Sequence, residues 1–414
     1  MISLRSQPKP DSTRHSPARD LAFLTIVSAF LVWGGREIMP WDKMFPDFIS
    51  HWTAGKILAS GQSPYSIELQ TSVHRQYGWD KTSDGFGVYE FLPFYYPPWF
   101  GLLWVLAVPL GFEAAKTAWF FINVELALVS GYFLTQTAAF GIRSWIPMTV
   151  APCFVFTIIA VLLGQTSILV FFLVLLGLRL LDLGHDRWAG VVLAWLTIKP
   201  QLTCVLLLGL FVWLIRQRRW QALTALLTML GLLFLASTLI VPTWPYQLWN
   251  ARHVTPIPTD HYPWIGNTWL LLLRSLGLEG TILWLLYGAL AVPIVGVVLK
   301  RAWDRRIGAA EIAGLSAMAA FFVAPYARHY DFPILLIPVF LLIQRRRTSW
   351  LGALLLPILV LLPYLQMDLL GQLKSKYDPG GKFLVECTFF WVPILCLIVW
   401  LVEAWRIKPA ANES

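Results

Sequence analysis

The chain predicts an all-α polytopic membrane protein, and three observations carry that reading. Hydrophobic residues fill 57% of its 414 positions and charged residues only 13%, about half the roughly 25% of a soluble domain. The apolar residues gather into long runs, enough for about 11–13 transmembrane or re-entrant helices. There are 22 tryptophans, a residue that favours the water–lipid boundary, where the ring is apolar and the N–H stays wet.

Taken in order, residues 1–20 are polar, Pro-rich and basic and predict a disordered cytoplasmic tail. Residues 21–38 form the first span, a signal anchor without a small-x-small cleavage site. Further apolar segments lie near 97–112, 115–139, 145–163, 166–182, 188–199, 201–215, 221–241, 268–278, 281–299, 308–324, 332–343, 350–364 and 385–404. Those at 188–199, 268–278 and 332–343 are too short for the ~20 residues of a full crossing and predict half-helices or tilted spans. Together, 21–405 read as one integral membrane domain, with 406–414 as a second cytoplasmic tail.

The basic residues set orientation. Arg216, Arg218 and Arg219; Lys300, Arg301, Arg305 and Arg306; Arg345 to Arg347; and Arg406 with Lys408 mark the cytoplasmic side of an inner (plasma) membrane. Both termini are then cytoplasmic, and loops 40–96, 242–267 and 365–384 face outward with the turn at Arg328–Asp331. Between 97 and 215 the parity closes only if one segment is re-entrant or broken. The net charge of +9 resides in these clusters, which argues against nucleic acid as a partner. Cys153, Cys204, Cys387 and Cys396 show no pairing or metal spacing and read as small buried hydrophobes.

Polar chemistry is confined to a few places. In the first outer loop, Asp47 precedes an amphipathic pattern over 48–58 that predicts a helix lying on the membrane. A carboxylate there is either an N-cap or a catalytic group at the outer leaflet. His51 stands one turn on and predicts a hydrogen-bonded pair with Asp47. A second constellation, Pro325 to Asp331, holds Arg328 and His329; it is either a functional rim or an ordinary interfacial turn. Lys199 sits in an otherwise apolar stretch, where it snorkels or binds an anion. Gly164-Gln165-Thr166-Ser167 is a polar break that lines a cavity or permits close packing. The 242–267 loop carries Arg252, His253, Asp260, His261 and Asn267 among prolines and aromatics, content suited to a lid or a sugar platform. There is no phosphate loop, H-E-x-x-H or paired CxxC, and no cofactor or metal is expected.

In order, these phrases resemble glycosyltransferase family 87, the polyprenol-phosphate-mannose-dependent mannosyltransferases of the C superfamily of membrane glycosyltransferases. The resemblance rests on Asp47, then Ala54, Leu58, Gly61, Pro64 and Tyr65; Phe94, Tyr96, Pro97 and Pro98; Trp119 and Asn123; Gly164-Gln165; Ala189, Gly190, Lys199, Pro200 and Gln201; Gly266-Asn267-Thr268; and Pro325, His329, Tyr330 and Asp331. It covers roughly 20–345. A tyrosine of the family pattern soon after the aspartate is replaced here by the Ser50-His51 region, and Asn267 opens N-T-W-L instead of N-x-S. The resemblance implies transfer of a hexose, mannose foremost, from a polyprenyl-phosphate sugar donor to a glycolipid or glycan acceptor with inversion, on the outer face of the bilayer. It implies Asp47 as catalytic base and His329, Arg328, Lys199, His51, Tyr65 and Asn267 as groups around the substrate and lipid phosphate. A lipid or solute transporter (flippase) is the alternative, disfavoured by the absence of internal repeats; a noncatalytic assembly factor is a third reading.

Overall fold

The computed structural model describes residues 17–39, 41, 44–79, 91–137, 145–254, 265–345, 350–377 and 386–406, all helix or connection with no strand among them. The first helix, α1 (Pro17–Ile38), leads into α2 (Phe48–Ala59) and α3 (Ile67–Gln76), both within the stretch 40–96. Next come α4 (Pro98–Val105), α5 (Phe112–Thr137), α6 (Trp145–Cys153), α7 (Val155–Leu163), α8 (Ser167–Asp182), α9 (Asp186–Ala194), α10 (Pro200–Arg216), α11 (Trp220–Ile240) and α12 (Trp244–Val254). Tails 1–16 and 407–414, Asp42, Asp260 and His261 fall outside the described residues, as do the side chains of Arg252 and His253.

Phe112–Gln136, Trp220–Ile240 and Gly280–Ala302 are each long and apolar enough to cross a membrane, and six more apolar helices run 10–17 residues. Along α11 and Gly280–Ala302 the outward face is apolar, with Leu235, Leu239, Trp284, Leu285 and Val292 more than half exposed. Lipid is the solvent that makes so wide an apolar surface stable. Cys153 and Cys204 lie on this outer surface and only Cys396 is buried, which corrects the expectation that all four are core residues.

Within the 97–215 stretch, α6 and α7 form a bent pair that meets at 51°, with Pro152 inside the last turn of α6. Proline removes a backbone donor and clashes with the preceding turn, so the pair bends there. The predicted half-helices are short as expected: α9 passes into a 3₁₀ turn at Trp195–Ile198, Trp269–Ser275 is seven residues, and His329–Leu335 is a 3₁₀ segment leading into Leu336–Arg345. The stretch 365–384, read as a loop, is helical through Tyr377 within Trp350–Tyr377, because apolar residues continue at helical spacing through Leu369 and Leu370.

A further expectation changes. Helix α2 does not lie on the membrane with a free polar face: Phe48 to Gly55, Ile57 and Leu58 are buried, because Ser50, His51 and Thr53 are small or planar enough to pack inside. Gly55 permits this, since a Cβ there would stand 2.7 Å from the Trp104 backbone carbon. Helices α9 and α11 meet as closely at Gly190, where a Cβ would overlap the Ala222 carbonyl and come within 2.7 Å of the Leu226 amide nitrogen. Backbone cannot retreat as a side-chain tip can, so Gly190→Ala is expected to destabilise the protein by about 1–3 kcal/mol. A lowered thermal midpoint in nanodiscs checks this; an unchanged one removes the close approach.

The two ends of the helices differ in chemistry. At the C-terminal end of α10, Arg216 Nε donates to the Trp303 carbonyl at 2.8 Å and Gln217 Nε2 to the Arg305 carbonyl at 3.1 Å, so the basic turns at 216–219 and 300–306 share one end. Lys199 caps the other end of α10, about 25 Å away at 1.5 Å per residue.

Candidate functional site

Three helix N-termini converge at that second end: α2 after Asp47, α8 after Thr166 and α10 after Lys199. Their partial positive charges favour anions there. What brings them together is the polar break after α7. Gly164 ends that helix in the left-handed conformation (φ +72°), and a Cβ on it would press on Phe45 at 3.3 Å. Glycine therefore serves both the turn and the close approach. Phe45 N and Asp47 N donate to the carbonyls of Leu162 and Leu163 at 3.0 and 3.1 Å, and Trp119 Nε1 donates to the Gly164 carbonyl at 2.8 Å. The segment bearing Asp47 is thus docked by backbone bonds onto the end of α7.

Asp47 occupies the N-cap position of α2, yet its side chain makes no capping bond. Its Oδ2 instead accepts from Gln165 Nε2 at 2.5 Å. The cap reading therefore fails on geometry. Asp47 is half-buried as a residue, and the protein around its carboxyl strips away most of its hydration. Burial raises its pKa above the ordinary carboxylate value, while the Gln165 bond and the charges of Arg328 and Lys199 act in the opposite direction.

Behind Gln165 lies a buried ion pair. Lys199 Nζ is paired with Asp331 Oδ1, donates to Ser167 Oγ at 2.9 Å, and approaches Gln165 Oε1 at 3.5 Å. Ser167 Oγ donates to the same Asp331 oxygen at 2.6 Å, and the other accepts from the Arg328 backbone N–H at 3.0 Å. The Tyr330 ring carries Lys199 at 4.9 Å and the Arg328 guanidinium at 5.3 Å from its centroid, and its hydroxyl meets that of Tyr326 at 2.8 Å. Lys199 is therefore neither a snorkelling lysine nor an uncompensated anion site, because Asp331 balances its charge.

The other predicted residues divide. Arg328 is half-buried and near enough to Asp47 to act on its charge. Asn267 is buried, held by its backbone N–H to the Ala327 carbonyl at 2.8 Å, and its amide makes no hydrogen bond among the described residues. His329 packs between Phe156 and Phe389, each 6.0 Å away between centroids. Tyr65 uses its hydroxyl to donate to the Tyr96 carbonyl at 2.8 Å, a bracing role for the turn into α4.

His51 corrects the expectation of a hydrogen-bonded pair with Asp47. Neither ring nitrogen has a hydrogen-bond partner among the described residues, and the ring stacks on Trp104 at 5.6 Å with Tyr96 and Phe100 edge-on. Burial, aided by the Lys199 charge, pushes its pKa down to about 3, so it is a neutral packing ring at physiological pH. Sequence reasoning set Gln165 and Ser167 in a polar break and Asp331 in a polar constellation, but did not pair them with Asp47 or Lys199. The signal for Asp331 was Lys199 itself: a lysine buried at a helix end demands a nearby counter-charge. Among the described residues no three His, Cys, Asp or Glu side chains come together as metal ligands.

The family model for glycosyltransferase family 87 matches residues 94–325, more than half of the chain. The match includes Tyr96, Gln165, Lys199 and Asn267; Asp47 and the Arg328–Asp331 segment lie on either side of it. No curated protein and no solved structure matches the chain. A family model of this extent, on an all-helical membrane protein, makes the chain a member of glycosyltransferase family 87 and a membrane-embedded transferase of sugars.

Proposed function

We propose that this glycosyltransferase moves a hexose, mannose foremost, from a polyprenyl-phosphate sugar to a hydroxyl of a glycolipid or glycan acceptor on the extracytoplasmic face of the plasma membrane. The observation that carries the proposal is Asp47. Its carboxylate makes no capping bond to its own helix, accepts a hydrogen bond from Gln165, and lies where three helix N-termini and Arg328 supply positive potential. Asp47 takes the proton of the acceptor hydroxyl as its oxygen attacks the anomeric carbon. The bond from that carbon to the phosphate oxygen breaks on the opposite face, inverting the centre and releasing a lipid phosphate. Arg328 and the helix N-termini stabilise the departing anion. Lys199 contributes to the local potential but is committed to Asp331. Asp47, Lys199, Arg328 and Asp331 gather at one end of α10, about 25 Å from the basic turns at its other end, an arrangement that does not favour a charge relay across the bilayer.

The test is transfer by purified protein in nanodiscs, with labelled polyprenyl-phosphate mannose, glucose or galactose and acceptor lipid extract. Label is expected to pass from a polyprenyl-phosphate sugar and not from a nucleotide sugar. Transfer from the nucleotide sugar in the absence of lipid donor would overturn the proposal.

A further inference from the structure

A cavity lies between the turn into α3 and helix α12, outside the machinery described above. It has a volume of about 420 Å³, within the roughly 300–1,000 Å³ of small-molecule sites. One wall is the turn into α3, with Ser63, Ser66 and Glu68; the other is α12, with Tyr246, Gln247 and Asn250. The walls are tied together, since Ser63 Oγ donates to Gln247 Oε1, while Gln247 Nε2 donates to Thr243 Oγ1 at 2.6 Å. That fixes the amide and aligns one face of α12 toward the turn.

The lining has a definite chemistry. It combines hydroxyls and amides with two aromatic rings, the buried Tyr65 and Tyr246, which is 70% exposed. A large exposed ring is a flat apolar platform, and hydroxyls and amides around it suit a ligand that has apolar C–H faces and many hydroxyl edges. Glu68 is the one charged side chain in the lining and is exposed. It accepts hydrogen bonds from hydroxyls and repels phosphate or carboxylate. The cavity therefore favours a neutral sugar over an anionic headgroup.

Its position relative to Asp47 can be traced residue by residue. Tyr65 lines the cavity and donates its hydroxyl to the Tyr96 carbonyl at 2.8 Å. Tyr96 stands edge-on to His51 at 5.1 Å, and His51 is one turn along α2 from Asp47. Tyr65, Tyr96 and His51 thus link the cavity to the start of α2, where Asp47 stands.

We infer that this cavity, between the turn into α3 and helix α12, is a subsite for a neutral sugar residue of the acceptor glycan, remote from the hydroxyl that reacts. The inference rests on the transferase reading for the word acceptor, and on the cavity alone for the sugar. Held there, the acceptor chain is anchored at a second point, so binding energy from a non-reacting sugar serves to orient the hydroxyl near Asp47.

Binding and transfer are measured separately, on the full chain in nanodiscs free of sugar detergents. Linear neutral trisaccharides of mannose, glucose and galactose are titrated by saturation-transfer NMR against wild type, Tyr246→Ala, Asn250→Ala and Asp47→Asn. At least one trisaccharide is expected to bind wild type and Asp47→Asn alike, and to bind Tyr246→Ala and Asn250→Ala roughly tenfold more weakly, the effect of losing one good contact. In the transfer assay the same two variants should raise the acceptor KM at constant kcat. No binding to wild type, equal binding to all four proteins, loss in Asp47→Asn alone, or tighter binding of a phosphate-bearing trisaccharide each overturns the subsite. Sugar binding without any transfer would leave the subsite standing and remove the transferase reading; transfer with no effect of Tyr246→Ala or Asn250→Ala does the reverse.

Discussion

Asp47→Asn is expected to lower sugar transfer by about 10²–10⁴-fold, the usual value of positioned proton transfer, while the protein still inserts and folds. The substitution is close to isosteric, and the asparagine carbonyl can still accept from Gln165 Nε2, which lies 2.5 Å from Oδ2 in the wild type. The backbone bonds from Phe45 and Asp47 to the end of α7 are untouched. What is lost is the group that receives the hydroxyl proton. Retained turnover in Asp47→Asn, in membranes that contain donor and acceptor, would end the assignment of the base.

The wild-type pH dependence follows from the same carboxyl. Desolvation raises its pKa, and the base is competent only when ionised, so activity should fall as pH drops through a midpoint above the ordinary carboxylate range. The stability sign is the opposite. Because folding raises this pKa, the folded state binds the proton more tightly than the unfolded chain does. Its stabilising contribution is therefore full at low pH and is lost as pH rises through the folded value. At neutral pH Asp47→Asn, which never carries the charge, should then be at least as resistant to heat as wild type. A variant that is inactive and also less stable would point to a structural aspartate instead.

The helices were legible in the sequence because they depend on local runs and local punctuation. Apolar length placed α5, α11 and Gly280–Ala302, and the short half-helices were found at the predicted places because Pro and Gly interrupt the runs. The surroundings of Asp47 were not legible in the same way. Gln165 is 118 residues away along the chain, and Asp331 stands 132 residues from Lys199, so no window of sequence holds both partners. His51 and Lys199 were misread for one reason: each was judged by its own chemistry before its packing was known. Three aromatic rings make His51 a neutral packing group, and a remote aspartate balances Lys199. Helix α2 likewise shows small polar residues that suit an interface or a close-packed interior, and only the approach of Trp104 to Gly55 decides between them.

Breaking the Lys199–Asp331 pair from either side should be the most destabilising change at the site. Both side chains are almost wholly buried, and removing one partner leaves an uncompensated charge, a loss of about 3–5 kcal/mol. Lys199→Met and Asp331→Asn are each expected to lower the thermal midpoint markedly in nanodiscs. The double variant Lys199→Met/Asp331→Leu removes both charges and should recover much of that stability. Activity should not recover with it. Lys199 approaches Gln165 Oε1 at 3.5 Å, long for a hydrogen bond but close enough for the ammonium to select which end of the amide faces it. That choice turns Nε2 toward Asp47. Without the lysine the amide is free to flip and present oxygen to the carboxylate, which repels it and raises its pKa further. The double variant should therefore be stable, with transfer reduced and its acid limb moved to higher pH than in wild type. A double variant that regains both stability and wild-type activity would confine the ion pair to a structural role, and Gln165 would then need no outside help to hold the base.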